Sequence, residues 1–405
     1  MKNQTQNKGP SERRNLADAE VLVVVAHGPG SLGPKLKSFI SQHRRAQSGT
    51  FTYIGHPIPL REAVFKETEF LFYWGEDAHR RTVLPRGGYI GLPSLILDWV
   101  LTALFLARIR RHFDVCITMG LHLVLFGTLL KLLGMVNCTV SVFEEYRSQL
   151  YGWPVLRHMY RAVASFCCER SDFVVFTSAL TPGILAGDGV YVDPAKQVII
   201  PQPIDPSEIG FVPLSQRAPN SVLWIGQLTP DYGFELVIEA MALVVRKQPE
   251  VTVTVVSYTR LPDGLRAMIK EKGLEQHFNI LGFIKEAEFN QVVRKHRVAL
   301  ALYQPKATSK KYVDVYRPWT YMANGVPHII NRVPPVAAEI EKAEAGIVID
   351  YTKEALADAI LSLLTDDQLH ETCRQRGLEL VEGRTSQSVL SDLLARLGVS
   401  ADEVA

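Results

Sequence analysis

Two α/β domains, each a parallel sheet with helices on both faces, are what this chain predicts. Three observations lead there. Short β-branched runs alternate with helical stretches along most of the chain, as in successive strand–helix–strand units. A proline-rich, weakly periodic stretch over 198–220 interrupts that alternation near the middle. The length, 405 residues, exceeds what one hydrophobic core usually serves.

The first half opens at Val21 with VLVVVAHGPG, a β-branched run ending in a Gly/Pro turn. A helix over 35–43 follows, then a strand FTYIGHP stopping at Pro57 and a strand EFLFYWG stopping at Gly75. Helices over 92–111, 121–133 and 154–169 then alternate with the strands FDVCITMG, NCTVSVFEEY and DFVVFTS. After the linker, SVLWIGQLTP restarts the pattern at Ser221. Helices over 234–247, 265–273 and 288–295 alternate with VTVTVVSY, FNILGFI and VALALYQ. A helix–strand pair over 319–330, the strand GIVID from Gly346 and helix from Lys353 complete it. The domains are thus expected over 20–197 and 221–385, with a flexible tail over 1–19. A last helix over 386–405 is free to cross back to the first domain.

Composition narrows the function. With 47% hydrophobic and 21% charged residues the chain is globular. A net charge of +2 from 44 basic and 42 acidic residues gives no global attraction to nucleic acid. Five cysteines without a C-x-x-C spacing suit a reduced cytoplasm. The polar first twenty residues lack the apolar core of a secretory leader. The most apolar stretch, 89–109, carries Asp98 and Trp99 in its middle and ends in Arg108, Arg110 and Arg111. That pattern fits a buried or membrane-surface helix better than a spanning one.

Ligands of open α/β sheets bind outside the carboxyl ends of the strands, so the candidate residues stand just after each strand. In the first half these are His27, Gly28, Gly30, His56 and His122. The spacing of Gly28, Gly30 and Gly33 is G-x-G-x-x-G, yet Pro29 and Pro34 remove donors that would cradle a pyrophosphate. A loop lining a cleft is the better reading, and no NAD or FAD is expected. In the second half Gly226 and Gln227 open a turn whose following helix offers free N–H groups to a diphosphate. Ser257 and Gly282 end the next strands. The run YVDVYRPWTYMANGVPHII from Tyr312 puts Asp314, Arg317 and Thr320 ahead of a helix, where carboxylate and hydroxyl groups suit ribose and Arg317 suits phosphate.

These residues resemble the GT-B glycosyltransferases that include the phosphatidylinositol mannosyltransferases and other retaining enzymes. That family reads V-G-R-L and K-G after its first carboxy-terminal strand. Later it reads glutamate, seven residues, a second glutamate, then M-A-x-G-x-P. This chain has Ile225-Gly226-Gln227-Leu228 with Tyr232-Gly233, and Thr320-Tyr321-Met322-Ala323-Asn324-Gly325-Val326-Pro327. Gln227 and Tyr232 replace the family's arginine and lysine, while Tyr312 and Thr320 replace its two glutamates. Each loss removes a charge-assisted contact of about 1.5–3 kcal/mol unless another group supplies it.

The resemblance implies two facing Rossmann-like domains and transfer of a sugar, with retention, from a nucleotide-diphosphate donor to a glycan or lipid-linked acceptor. The nucleotide sugar is a substrate, and neither cofactor nor metal is expected. The base is placed near Ser257 and Gly282, the ribose near Thr320, and the diphosphate over Gly226 and Gln227 near Arg317. His122 contacts the donor sugar, and it stands with Asp314 as a catalytic candidate. Peripheral contact with the inner face of the membrane accompanies a lipid-linked acceptor. A non-catalytic sugar-nucleotide binder that supports a partner enzyme, and a sugar-nucleotide epimerase, share the fold and stay open.

Overall fold

The computed structural model describes residues 14–15, 19–27, 50–57, 67–74, 78–85, 92–146, 153–257, 259–282, 284, 286–306, 309–396 and 399–400. The expected helix over 35–43 lies outside them, as do Gly28 and Gly30. The chain divides into two units: residues 1–203 with 386–405, and residues 204–385.

The first unit is built on an eight-stranded sheet. Its strands are β1 (Val21–His27), β2 (Thr50–Pro57), β3 (Glu67–Trp74), β4 (Ala78–Pro85), β5 (Phe113–Met119), β6 (Val136–Phe143), β7 (Phe173–Phe176) and β8 (Gln197–Ile199). Their spatial order is β4-β3-β2-β1-β5-β6-β7-β8, with β1 paired in parallel to both β2 and β5. The sheet is not wholly parallel, since β3 runs antiparallel to β2 and β4 antiparallel to β3. The connections explain this correction. Only residues 58–66 and 75–77 join these strands, too few for the helical crossover that parallel neighbours need.

Helices α1 (Leu92–Ile109), α2 (Leu121–Leu132), α3 (Pro154–Arg170) and α4 (Thr181–Gly187) follow in this unit. The continuous apolar run of β1 reflects burial on both faces. Val21, Val23 and Val25 enter one core with Phe51, Ile117 and Val140. Leu22 and Val24 enter another with Leu106 of α1 and with Leu123, Phe126 and Leu130 of α2. The helix Ser386–Arg396 completes the first of these cores with Val389, Leu390 and Leu393.

The second unit is a six-stranded, all-parallel sheet. Its strands are β9 (Ala218–Ile225), β10 (Thr252–Val256), β11 (Phe278–Gly282), β12 (His296–Ala301), β13 (His328–Asn331) and β14 (Ile347–Ile349). The order β11-β10-β9-β12-β13-β14 reverses between β9 and β12, which is the doubly wound dinucleotide-fold order. Helices α5 (Phe234–Lys247), α6 (Asp263–Glu271), α7 (Glu286–Arg294), α8 (Tyr316–Ala323), α9 (Val336–Ala343), α10 (Lys353–Thr365) and α11 (Asp367–Glu382) join and flank the strands. On α5 the buried Phe234, Val237, Ile238, Met241 and Val244 recur at helical spacing and fill the core over the sheet.

The stretch expected as a linker is mostly structure. Gln197–Ile199 is an edge strand on β7. Residues beyond Ile204 belong to the second unit, where Gly210 N–H donates to Ala323 O at 2.8 Å and Arg294 Nη2 to Glu208 O at 2.9 Å. The crossing points meet in a parallel bridge between Ile204 and Thr385, with Ile204 N–H on Arg384 O at 2.7 Å.

The last helix therefore acts as a core element of the first unit. Leu390→Ala and Leu393→Ala are each expected to destabilise that unit by about 2–5 kcal/mol, the range for truncating buried leucines. Urea unfolding followed by a probe in the first unit measures this, and changes under about 0.5 kcal/mol, the surface-substitution range, would refute the placement.

Candidate functional site

The reversal between β9 and β12 is where an open α/β sheet forms its ligand crevice. The chain leaves β9 through Gly226, whose φ of 137° is open to glycine, and its N–H donates to Val256 O at 3.0 Å. Gln227 follows, half-buried. Leu228 N–H then donates to Thr259 Oγ1 at 2.9 Å, and the Ser257 and Thr259 hydroxyls lie 2.8 Å apart. Ser257 N–H donates to Gly282 O at 3.0 Å. The ends of β9, β10 and β11 are thus stitched side by side, and the expected residues Gly226, Ser257 and Gly282 come together. Ser257 is nevertheless buried, with its hydroxyl turned to Thr259. That correction moves any polar base contact to the exposed edge of the turn.

Helix α8 faces the crevice from below with an i, i+4 pair. Tyr321 accepts the Ile225 N–H at 3.2 Å and donates its hydroxyl to Leu300 O at 3.1 Å, so one phenol bridges β9 and β12. Arg317 donates from Nη1 to Ile225 O at 3.0 Å and from Nη2 to Leu302 O at 2.9 Å. Its guanidinium carbon lies 5.0, 4.6 and 4.5 Å from the ring centres of Trp224, Tyr232 and Tyr303. A Cβ on Gly226 would approach Arg317 Nη1 to 3.3 Å, so the guanidinium sits directly under the loop. Arg317 as a whole residue is half-buried, its Nε is buried, and each Nη gives one proton to a main-chain oxygen.

Two other expectations on this segment are corrected. Asp314 accepts from Trp319 Nε1 at 2.8 Å and pairs with Arg384 Nη1 at 2.8 Å, while the Arg384 guanidinium covers the Trp319 ring at 3.6 Å. Each carboxylate oxygen thus takes part in holding the start of α8, a structural role rather than the expected catalytic one. Thr320 is buried and turns its hydroxyl back to Tyr316 O at 3.4 Å, so it does not present itself to a ribose.

The sequence-level reading missed the three aromatic walls around Arg317. It also missed Lys310, whose Nζ lies 5.6 Å over the Tyr232 ring. The signal available was Tyr232 itself: an aromatic residue in place of a cation pairs naturally with cations from elsewhere.

In the first unit β5 and β1 are the neighbours at the centre of the sheet, and His122 opens α2 just after β5. Its Nε2 lies 3.3 Å from Asp98 Oδ2, and its main-chain oxygen accepts from Trp99 Nε1 at 3.0 Å. The side chain keeps 18% of its surface exposed. His56 is different. It is fully buried, with Nε2 at 2.8 Å from Thr102 Oγ1 and Nδ1 at 3.2 Å from Asp98 Oδ1, so the expectation that it lines a cleft is corrected. His27 ends β1 within the described backbone. Among the described residues no three His, Cys, Asp or Glu side chains gather to hold a metal.

Two tests follow from the second unit. Tyr321→Phe removes the hydroxyl that satisfies Ile225 N–H and Leu300 O, so a loss of about 1–3 kcal/mol is expected in urea unfolding; no change would overturn the strand-bridging role. The second concerns acid. Burial drives His328 down to about 3 and, with Arg217 nearby, His370 down to about 4, against an ordinary 6.5. The native unit keeps both neutral while the unfolded chain takes up protons below about pH 6.5, so stability falls as pH drops from there toward 4. The slope is up to about 1.4 kcal/mol per pH unit for each proton. A variant carrying His328→Leu and His370→Gln should flatten that limb of the urea midpoint against pH.

Comparison with known proteins matches this architecture. Residues 207–379 match the family described as glycosyl transferases group 1. The D-inositol 3-phosphate glycosyltransferase of Corynebacterium glutamicum is 26% identical over 182 residues, 43% of this chain and 40% of that protein. The alpha-D-kanosaminyltransferase of Streptomyces kanamyceticus is 24% identical over 175 residues, 43% of this chain and 44% of its own length. The chain thus matches less than half the length of these curated relatives. Among solved structures, the sucrose-phosphate synthase of Thermosynechococcus elongatus aligns over 93% of this chain and 98% of its own, with TM-score 0.67 and 15% identity. Anabaena HepE in complex with UDP-glucose aligns over 93% and 99%, with TM-score 0.66 and 13% identity. The protein has the GT-B fold, and residues 207–379, in its second unit, match the glycosyl transferases group 1 family.

Proposed function

We propose that the protein transfers a sugar from a nucleoside-diphosphate donor held at the β9–β12 reversal of the second unit. The observation that carries this is the cation arrangement beneath the loop from Gly226 to Gly233. The loop lacks the family's arginine and lysine, yet Arg317 and Lys310 flank the Tyr232 that stands at the lysine position. The positive charge for a diphosphate then comes from the segment and helix that follow β12. The α5 amino-terminal end, starting after Gly233, adds its free N–H groups. Electrostatic stabilisation of the departing diphosphate is the largest rate term in such chemistry, so these two cations decide turnover. Retention at the anomeric carbon is part of the proposal.

The acceptor reading comes from α1. Its inward edge is polar, with Ser94, Asp98 and Thr102 buried, while Ile96, Val100 and Leu104 stand 55%, 46% and 64% exposed. No described helix is long and apolar enough to cross a membrane. An outward apolar stripe ending in Arg108, Arg110 and Arg111 suits the surface of an anionic bilayer, where a lipid-linked acceptor resides.

Titration with a panel of nucleoside diphosphates tests the donor site. One of them is expected to bind, and Arg317→Ala is expected to weaken it about tenfold or more, as for a lost charge-assisted contact. Binding by none, or unchanged affinity in Arg317→Ala, would sink the donor site. Binding without sugar release, with or without lipid acceptors, would instead favour a non-catalytic supporting role. Sedimentation with anionic vesicles checks the surface reading: Leu104→Glu should abolish co-sedimentation, and equal recovery of both proteins would refute it.

A further inference from the structure

Among the described carboxylates of the first unit Asp98 is the most deeply buried, its side chain 1% exposed in the middle of α1. A carboxylate so placed stays ionised only if donors surround it. Two imidazoles point at it from different elements: His56 Nδ1 from the end of β2 at 3.2 Å, and His122 Nε2 from the first turn of α2 at 3.3 Å. The neighbouring Trp99 donates its indole N–H to the main-chain oxygen of the same His122 and packs its ring 5.6 Å from Phe126, one turn further along α2. Consecutive residues of α1 therefore grip His122 by side chain and by backbone.

That double grip has a chemical consequence. An ionised carboxylate accepts and does not donate, so the nitrogen of His122 that faces it carries the proton. In the neutral ring the other nitrogen, Nδ1, keeps its lone pair. We propose that Asp98 is a positioning residue that fixes His122 in the Nε2–H form, so that Nδ1 accepts a hydrogen bond from a sugar hydroxyl at the carboxyl end of the first sheet.

His56 has the complementary task. Its Nδ1 lies 3.2 Å from Asp98 Oδ1 and 3.3 Å from Thr68 Oγ1, and its Nε2 lies 2.8 Å from Thr102 Oγ1, so a ring protonated on Nδ1 gives Asp98 a second donor. The inference deepens the sugar-transfer reading and rests on it for the identity of the ligand. The tautomer assignment stands on the geometry alone.

The test uses full-length protein with nitrogen-15 histidine. Long-range proton–nitrogen spectra at neutral to mildly alkaline pH assign His122 by the signal lost in His122→Gln. The expected result is a neutral ring with its proton on Nε2; a proton on Nδ1 would overturn the proposal without any variant at position 98. An asparagine amide offers one accepting oxygen and one donating nitrogen, so it satisfies only one imidazole in its present form. Asp98→Asn should therefore switch the tautomer of His56 or His122. It should also lower kcat about tenfold or more, with KM for the nucleotide sugar within about twofold. Unchanged tautomers, or an unchanged kcat alongside an intact transfer activity, refutes it. An Nε2–H ring in a protein that never transfers sugar refutes the transfer reading and leaves the positioning intact.

Discussion

Two neighbouring strands of a doubly wound sheet part company where the chain crosses over in opposite directions, and in the second unit that gap is held by one helix. Trp224 still pairs with Leu300, but beyond it β9 and β12 make no further ladder contacts. Tyr321 closes the opening with a phenol shared between the two strands, and Arg317 closes it one turn earlier with a guanidinium on two carbonyls. The polar groups that a crevice would leave unpaired are satisfied from below. The ring walls of Trp224, Tyr232 and Tyr303 hold the guanidinium flat, so the cation is fixed before any anion arrives, the condition under which electrostatic stabilisation is most effective.

Much of this was legible in the residues. The strand and helix order follows largely from periodicity, and the match of the second unit to the group 1 glycosyl transferases from the segment around Met322. What escaped has physical reasons. The antiparallel pair β3–β4 hides in AHRRTVLP, whose arginines mask a strand that lies at the sheet edge. Asp314 looks like a free carboxylate because nothing nearby in sequence announces Arg384, seventy positions later. Thr320 and Ser257 look like ligands because hydroxyls are small enough to be buried against main chain without any pattern to show it. His56 and His122 are alike in sequence, each just after a strand, and only burial separates them.

Asp98 illustrates the same limit. In the sequence it is a charge that argues against a spanning helix. In the fold it joins Ser94 and Thr102 in a buried polar strip of α1, beside the core-facing Leu106, and two histidines meet it there.

The bridge between Ile204 and Thr385 also bears on how the molecule comes into being. The second unit is an insertion whose entry and exit lie side by side, so it can close upon itself as soon as its own residues are synthesised. The first unit, although it begins the chain, must wait for Val389, Leu390 and Leu393 to complete its core. Part of the first unit's core is thus made only after the second unit, and that core is complete only once the helix Ser386–Arg396 has been synthesised.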